Sequence, residues 1–266
     1  HGKILYEGKD ISSKARIKEL RKKVQYIFQD PYSSLNPRMT AGEIITRPIR
    51  IHKLYSNESE IKGKLNNLLE QVGLTKEQAL RFPHEFSGGQ KQRISIARAL
   101  AVEPELIIAD EPTAALDVSI QAQILILLKK LKETLGLTMF FITHDLGLVE
   151  YIADRVFVMY LGTIVETGPV YDVMRNPMHP YTKALIAAVP KNPKQKKTEQ
   201  FKLKDIVPSP INIPPGCRLH PRCPCAVEAC ARTEVKLEAV AEGRFVACLL
   251  AHENSRSTPN GEKNNK

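Results

Sequence analysis

Residues 106–111 read Leu-Ile-Ile-Ala-Asp-Glu, an apolar β-run that ends in two adjacent carboxylates, Asp110 and Glu111. Open α/β sheets bind ligands in the crevice beyond the carboxyl ends of their strands, so acids at such an end face the place where chemistry occurs. In a nucleotide hydrolase the first acid holds Mg2+, usually through water, and the second polarises the attacking water. Taken alone, the run is equally a strand closed by a charged turn.

Upstream lies Phe86-Ser-Gly-Gly-Gln90, followed by an amphipathic run with Ile94, Ile96, Ala97 and Leu100. Ser87 and Gln90 have capping-box spacing and open a helix. Gly88 and Gly89 let a phosphate approach backbone N–H groups at the positive end of the helix dipole. Further out, Gln29 follows the strand-like run Val24–Phe28, Ala114-Ala-Leu-Asp117 follows the acid pair, and His144 follows the run Met139–Ile142. These are five polar sites at strand ends or helix starts, in one order along one chain.

The rest of the chain has the organisation of an α/β protein. Short β-rich runs, with Val156–Tyr160 as a further strand, alternate with helical patterns. One helix starts at Asn57, with Glu60 three residues later, buries Ile61, Leu65, Leu68, Leu69 and Val72, and closes at Gly73. Another runs from Val118 to Leu135, with Ile120, Ile124, Leu127, Leu128 and Leu131 inward and Gly136 as its stop. The pattern changes after Val189. Residues 190–215 carry six prolines and read as a linker with a basic cluster at Lys191, Lys194, Lys196 and Lys197. Residues 216–252 hold all five cysteines, and 253–266 are polar enough to be disordered.

With 42% hydrophobic and 26% charged residues among 266, the composition is that of a globular protein and excludes collagen, disordered and disulfide-dense classes. No apolar run approaches the roughly 18 residues of a membrane span and no secretory leader is evident, so a soluble, cytoplasmic chain is expected. The net charge of +10 fits nucleic acid, an anionic membrane face or a bound polyanion such as a nucleoside triphosphate. Nucleic acid ranks last, because no reader motif accompanies the charge and only 6% of residues are aromatic.

The order of these motifs resembles that of the nucleotide-binding subunit of ABC transporters, over nearly all of residues 2–189. The fold implied is a P-loop NTPase-like α/β core with a helical subdomain, here followed by a small cysteine-rich module. Position by position, Ser87, Gly88, Gly89 and Gln90 match the family signature, with Phe86 where leucine is usual. Asp110 matches the Mg2+-associated acid, Glu111 the catalytic carboxylate, and Asp117 the loop that crosses the dimer interface. Gln29 matches the glutamine near Mg2+ and the attacking water, and His144 the histidine that contacts the γ-phosphate. The resemblance implies ATP and Mg2+ as ligands and in-line attack of water, within a site that two subunits complete together. No G-x-x-x-x-G-K-[ST] occurs in the sequence. Because the chain opens at His1 within a strand-like pattern, truncation is expected rather than evolved loss, with weak ATP binding by this chain alone. A second reading is a non-hydrolysing partner that lends its signature helix to an intact subunit.

Gln29-Asp-Pro-Tyr-Ser-Ser-Leu-Asn-Pro-Arg38, Asn176-Pro-Met-His-Pro-Tyr-Thr-Lys-Ala-Leu185 and Ala187-Ala-Val-Pro190 resemble the oligopeptide and dipeptide importer branch. That branch implies a second ATPase subunit, transmembrane permease subunits and, indirectly, a solute-binding protein, with this subunit peripheral on the cytoplasmic membrane face. Clustered cysteines in a cytoplasmic chain argue for metal before disulfides. Gly216-Cys-Arg-Leu-His-Pro-Arg-Cys-Pro224 resembles the C-terminal module of peptide-importer ATPases, in which four cysteines hold a [4Fe–4S] cluster. The matching positions are Cys217, Cys223, Cys230 and Cys248, with zinc as the alternative metal and Cys225 as a bystander. His220 and His252 read as loop histidines.

Overall fold

The computed structural model describes residues 2–11, 14–189, 201–204, 208–209 and 211–251. A hairpin of Leu5–Tyr6 (β1) and Lys9–Asp10 (β2) precedes Lys14–Lys23 (α1), which runs directly into Val24–Ile27 (β3). Pro31–Ser34 (α2), Ala41–His52 (α3), Glu58–Gln71 (α4), two 3-10 turns at Glu77–Leu80 and Pro83–Glu85, and Gly88–Leu100 (α5) follow. Leu106–Asp110 (β4), Val118–Leu135 (α6) and Thr138–Ile142 (β5) complete a first compact unit, His1–His144. The expected strands all form, with ends shifted by a residue.

The three longer strands pair in parallel in the order β3-β4-β5. Ile27 stands beside Ala109, and Asp110 beside Ile142, so all three strands end at one edge. Helices form where the caps predict. Ser87 is the N-cap of α5 in a complete capping box, and Gly136 ends α6 in the left-handed region at φ 63°. At α4 the box is only half formed: Asn57 accepts from the Glu60 N–H, but the Glu60 carboxylate accepts from Ser56 N. The core of this unit is aliphatic. Ile27, Ile45, Ile49, Leu68, Leu69, Ile94, Ile107, Ile124 and Leu128 are all essentially solvent-free.

The second compact unit is Asp145–Lys266. Among its described residues it contains Leu146–Ile152 (α7), Arg155–Tyr160 (β6), Thr163–Pro169 (β7), Val170–Arg175 (α8), Pro180–Ala188 (α9), Glu228–Arg232 (α10), Glu238–Ala241 (β8) and Arg244–Val246 (β9). An antiparallel sheet runs β6-β7-β9-β8. The cysteine-bearing segment therefore contributes two strands to a sheet begun before the proline-rich stretch. This differs from the expected partition into 1–189, 190–215 and 216–252, which follows composition: the break in contacts falls at 144/145. The cause is visible in the pairing of Glu166 with Val246 and of Thr167 with Phe245, which a composition profile does not register. Leu219 and Cys223 share a core cluster with Val158, Tyr160, Val165 and Val173. The basic cluster at 191–197 and the tail 253–266 lie outside the described residues.

A buried ion pair lies within this unit. The Glu166 carboxylate, with no exposed surface, accepts from Arg244 at 2.8 Å and from the N–H groups of Met178 (3.0 Å) and His179 (2.9 Å). The interior carboxylate thus has both a countercharge and hydrogen bonds, without which its burial costs several kcal/mol.

Candidate nucleotide site

Parallel pairing brings the ends of β3, β4 and β5 to one edge, and the polar residues just beyond them meet there. Glu111 is the centre of the cluster. Its Oε2 accepts from Gln29 Nε2 at 2.8 Å, and its Oε1 lies 2.8 Å from His144 Nδ1. The two neighbours come from the strands on either side of β4. Glu111 has φ +41°, in the left-handed region that residues other than glycine rarely enter, and its N–H donates to Ile142 O at 3.0 Å. Backbone strain of this kind persists where surrounding bonds fix it and concentrates at functional sites.

Asp110 is held differently. Its Oδ2 accepts from Tyr26 O–H at 2.5 Å, and Oδ1 has no hydrogen bond among the described residues. Beside Asp110 the Tyr26 hydroxyl is held above its ordinary pKa, because the hydrogen bond to the carboxylate favours the protonated phenol. Sequence reasoning missed Tyr26. Its signal is a hydroxyl-bearing aromatic two residues before the end of a strand flanking the acid pair.

The glycine-rich start of α5 forms a second grouping. Gln90 N donates to Ser87 Oγ at 3.4 Å, and Gln90 Oε1 accepts from Ser87 N at 3.0 Å. A Cβ on Gly88 would meet Leu116 Cδ2 at 3.1 Å, and one on Gly89 would meet Ile120 Cγ2 at 2.5 Å. The second glycine is thus required by close approach of α5 to α6. Asp117 caps α6, accepting from Ser119 Oγ at 2.7 Å and Ile120 N at 3.0 Å; these bonds hold its carboxyl below the usual range. The predicted residues therefore assemble as two groups in the first unit, one around Glu111 and one around Ser87–Gln90 and Asp117.

Helix α2 follows Gln29 in the chain and packs against the second group. Tyr32, just after Gln29, lies under Lys91 Nζ at 3.9 Å from the ring centre, and its hydroxyl would be 3.5 Å from a Cβ on Gly88. Arg98 Nη1 donates to Ser34 O at 2.6 Å. None of Tyr32, Lys91 or Arg98 was distinguishable in the sequence, since each depends on a contact between separate segments.

For Mg2+, the donor chemistry fits: the carboxylates and an amide oxygen are hard ligands, and Mg2+ needs only one or two carboxylates beside substrate phosphates and water. The cysteines give a mixed result. All five are free thiols. Gly216, at φ 65°, lets Cys217 reach α10, where Cys217 N donates to Cys230 O at 2.8 Å. Burial raises the thiols of Cys217, Cys248 and Cys223, the last to about 11, and neighbouring cysteines push each further. Cys217, Cys223, Cys230 and Cys248 therefore lie within one another's electrostatic reach. However, among the described residues no three His, Cys, Asp or Glu side chains are placed to hold a metal ion. The expected metal module does not appear as a formed site.

Comparison with known proteins bears on the fold and the family. The structure resembles that of cbiO1 from Clostridium perfringens, described as part of the ABC transporter complex cbiONQ (TM-score 0.59, 32% identity, 66% of this chain and 69% of that one). It also resembles the ATP-binding cassette MJ0796, solved as a dimer bound to ADP and Pi (TM-score 0.57, 29% identity, 64% of this chain and 74% of that one). The fold is that of an ABC ATPase. Residues 1–114 match the family "ABC transporter", and residues 165–230 match "Oligopeptide/dipeptide transporter, C-terminal region". The oligopeptide transport ATP-binding protein AppF of Bacillus subtilis is 49% identical over 254 residues, 94% of this chain and 77% of AppF. The "Probable peptide ABC transporter ATP-binding protein y4tS" of Sinorhizobium fredii is 49% identical over 249 residues, 93% of this chain and 70% of y4tS. The chain belongs to the ABC transporter family, in its oligopeptide/dipeptide branch. Among the described residues no helix is long and apolar enough to cross a membrane.

Proposed function

We propose that this chain is the ATP-binding subunit of a peptide importer and that it couples ATP hydrolysis to transport. The observation that carries the reading is the Glu111 carboxylate, with Gln29 on one oxygen and His144 on the other, each supplied by the end of a flanking strand. Glu111 orients and polarises the attacking water. Gln29 fixes the carboxylate from the β3 side, and His144 contacts the γ-phosphate from the β5 side. Asp110 would hold Mg2+ through water, and the ion would supply positive charge to offset that on the β- and γ-phosphates. Ser87, Gly88, Gly89 and Gln90 close over the γ-phosphate held by a second ATPase subunit, and Asp117 belongs to the loop that crosses between the two. Catalysis is by positioning and charge stabilisation, so loss of the γ-phosphate removes the contacts that hold the two subunits closed.

The partners that fit this reading are a second ATPase subunit and transmembrane permease subunits, with a solute-binding protein acting through them. The subunit then sits peripherally on the cytoplasmic membrane face. The test is Glu111→Gln in the full-length protein, which is expected to bind ATP, lose turnover and accumulate an ATP-bound dimer on size-exclusion chromatography. Unchanged turnover overturns the assignment of Glu111.

We further propose that Cys217, Cys223, Cys230 and Cys248 hold a [4Fe–4S] cluster in a structural role. Support comes from the convergence of four thiols whose mutual repulsion a cationic centre relieves. Tetrahedral zinc on the same four thiolates is the alternative. Anaerobic purification with iron, sulfide and zinc analysis decides between them, and equimolar zinc without sulfide overturns the cluster.

A further inference from the structure

We propose that Tyr26 is a positioning residue for Asp110, holding one carboxylate oxygen so that the other is presented, through water, to the Mg2+ of a bound nucleotide. This rests on the nucleotide reading above and assigns a new residue to it. The geometry begins with the register. Tyr26 pairs with Ile108, and side chains alternate across a strand, so Asp110, two residues beyond Ile108, shares the face of Tyr26. Two residues advance a strand by about 6.6 Å, comparable to the reach of a tyrosine from Cα to its hydroxyl. A tyrosine at this position therefore spans from its own register to the acid at the strand tip, and the 2.5 Å contact with Oδ2 is the outcome. Phenylalanine at the same place would reach but make no bond.

The ring is braced. Phe28, on the same face, stands 4.6 Å away at 46°, a tilted aromatic pair that restricts Tyr26. An ionised carboxylate only accepts and a phenol donates, so the bond has one direction. It leaves Oδ1 as the oxygen with no hydrogen bond among the described residues. Mg2+ demands near-ideal octahedral geometry, which a carboxylate fixed at one oxygen meets better than one free to rotate. A purely structural tie is the competing explanation. It has little to add, because β3 and β4 are already joined along four paired residues.

The test uses Mn2+ as a spectroscopic probe for Mg2+. Full-length protein with ADP bound is titrated with Mn2+ by electron paramagnetic resonance, comparing the unsubstituted chain with Tyr26→Phe. Groups that orient a metal ligand typically contribute 10–100-fold to affinity. Tyr26→Phe is accordingly expected to weaken Mn2+ binding about 10-fold or more, while ADP affinity in EDTA and the thermal midpoint stay unchanged. On an Asp110→Asn background the same substitution is expected to have no further effect. Mn2+ affinity within twofold of the unsubstituted protein overturns the proposal. So does a loss accompanied by an equal fall in metal-free ADP affinity or in thermal stability, or a full loss that persists on Asp110→Asn. If the unsubstituted protein binds no Mn2+ with ADP, the nucleotide reading itself fails, and this inference falls with it.

Discussion

Acid should weaken the second unit through one buried histidine. His179 is 1% exposed, its N–H donates to Glu166, and its Nδ1 accepts from Tyr181 N at 3.1 Å as the N-cap of α9. Burial pushes the imidazole down to about 4, outweighing the opposing pull of Glu166, and Lys183 adds to the depression. An unfolded histidine titrates near 6.5. Between these values the unfolded chain takes up a proton that the folded chain refuses. Stability from the neutral ring is fully present above about pH 6.5 and is lost as the pH falls towards 4. At about 1.4 kcal/mol for each pH unit of that gap, the loss comes to about 3 kcal/mol, a large part of an ordinary domain's stability. The assay is hydrogen exchange of peptides covering β7 and α9, corrected for intrinsic rates, on the natural chain and on His179→Asn. Asparagine keeps an oxygen able to cap the helix but does not titrate. The natural chain is expected to lose about 100-fold in protection from pH 6.5 to 4, against a much flatter profile for His179→Asn. Parallel profiles refute the reasoning and assign the acid sensitivity to other groups.

Three further outcomes follow from packing and charge. Gly89→Ala places a Cβ 2.5 Å from Ile120 Cγ2 and should cost about 1–3 kcal/mol in urea unfolding, with part recovered by adding Ile120→Ala. Lys91→Met removes a largely buried ammonium from the Tyr32 ring and should cost about 1 kcal/mol by thermal unfolding; Tyr32→Phe, which keeps the ring, should cost less than Tyr32→Leu. Arg244→Met leaves the buried Glu166 carboxylate without its countercharge and should cost about 3–5 kcal/mol by urea unfolding, with most of it restored when Glu166→Gln is added.

What was legible in the sequence is what depends on local order. The strand before Asp110, the capping box at Ser87 and the glycine that ends α6 are each written in a few consecutive residues. The clustering of Gln29, Glu111 and His144 was legible one step further, because each follows a β-run and parallel strands must end together. Side-chain pairings between segments were not. Tyr26 on Asp110, Lys91 over Tyr32 and Arg98 on Ser34 depend on register and helix packing, for which a single sequence carries no period. The division of the chain was obscured for the same reason. Six prolines between 190 and 215 mark a composition break, but the pairing of β7 with β9 spans it. The cysteines were legible as a cluster, whereas their spacing in the fold is set by Gly216, α10 and β9.

The contacts of α2 bear on how the two groups of the site can act together. Gln29 is followed by Asp30, which caps α2 by accepting from Tyr32 N at 2.8 Å, so Gln29 sits at the foot of a single short turn. That turn is fastened to α5 by the Arg98 bond to Ser34 O and by Lys91 over Tyr32. A hydrogen bond from a guanidinium contributes about 1.5–3 kcal/mol and a desolvated cation–π pair about 1–2 kcal/mol. Together they exceed the single amide bond between Gln29 and Glu111, also about 1.5–3 kcal/mol as a bond to a charged group. Arg98 is moreover mostly buried, and burial pushes its guanidinium below its ordinary pKa, so stripping it of its acceptor carries a further desolvation cost. A substitution that displaces Gln29 is therefore expected to part it from Glu111 before it parts α2 from α5. The residues that enforce this are those whose roles no local reading of the sequence reveals.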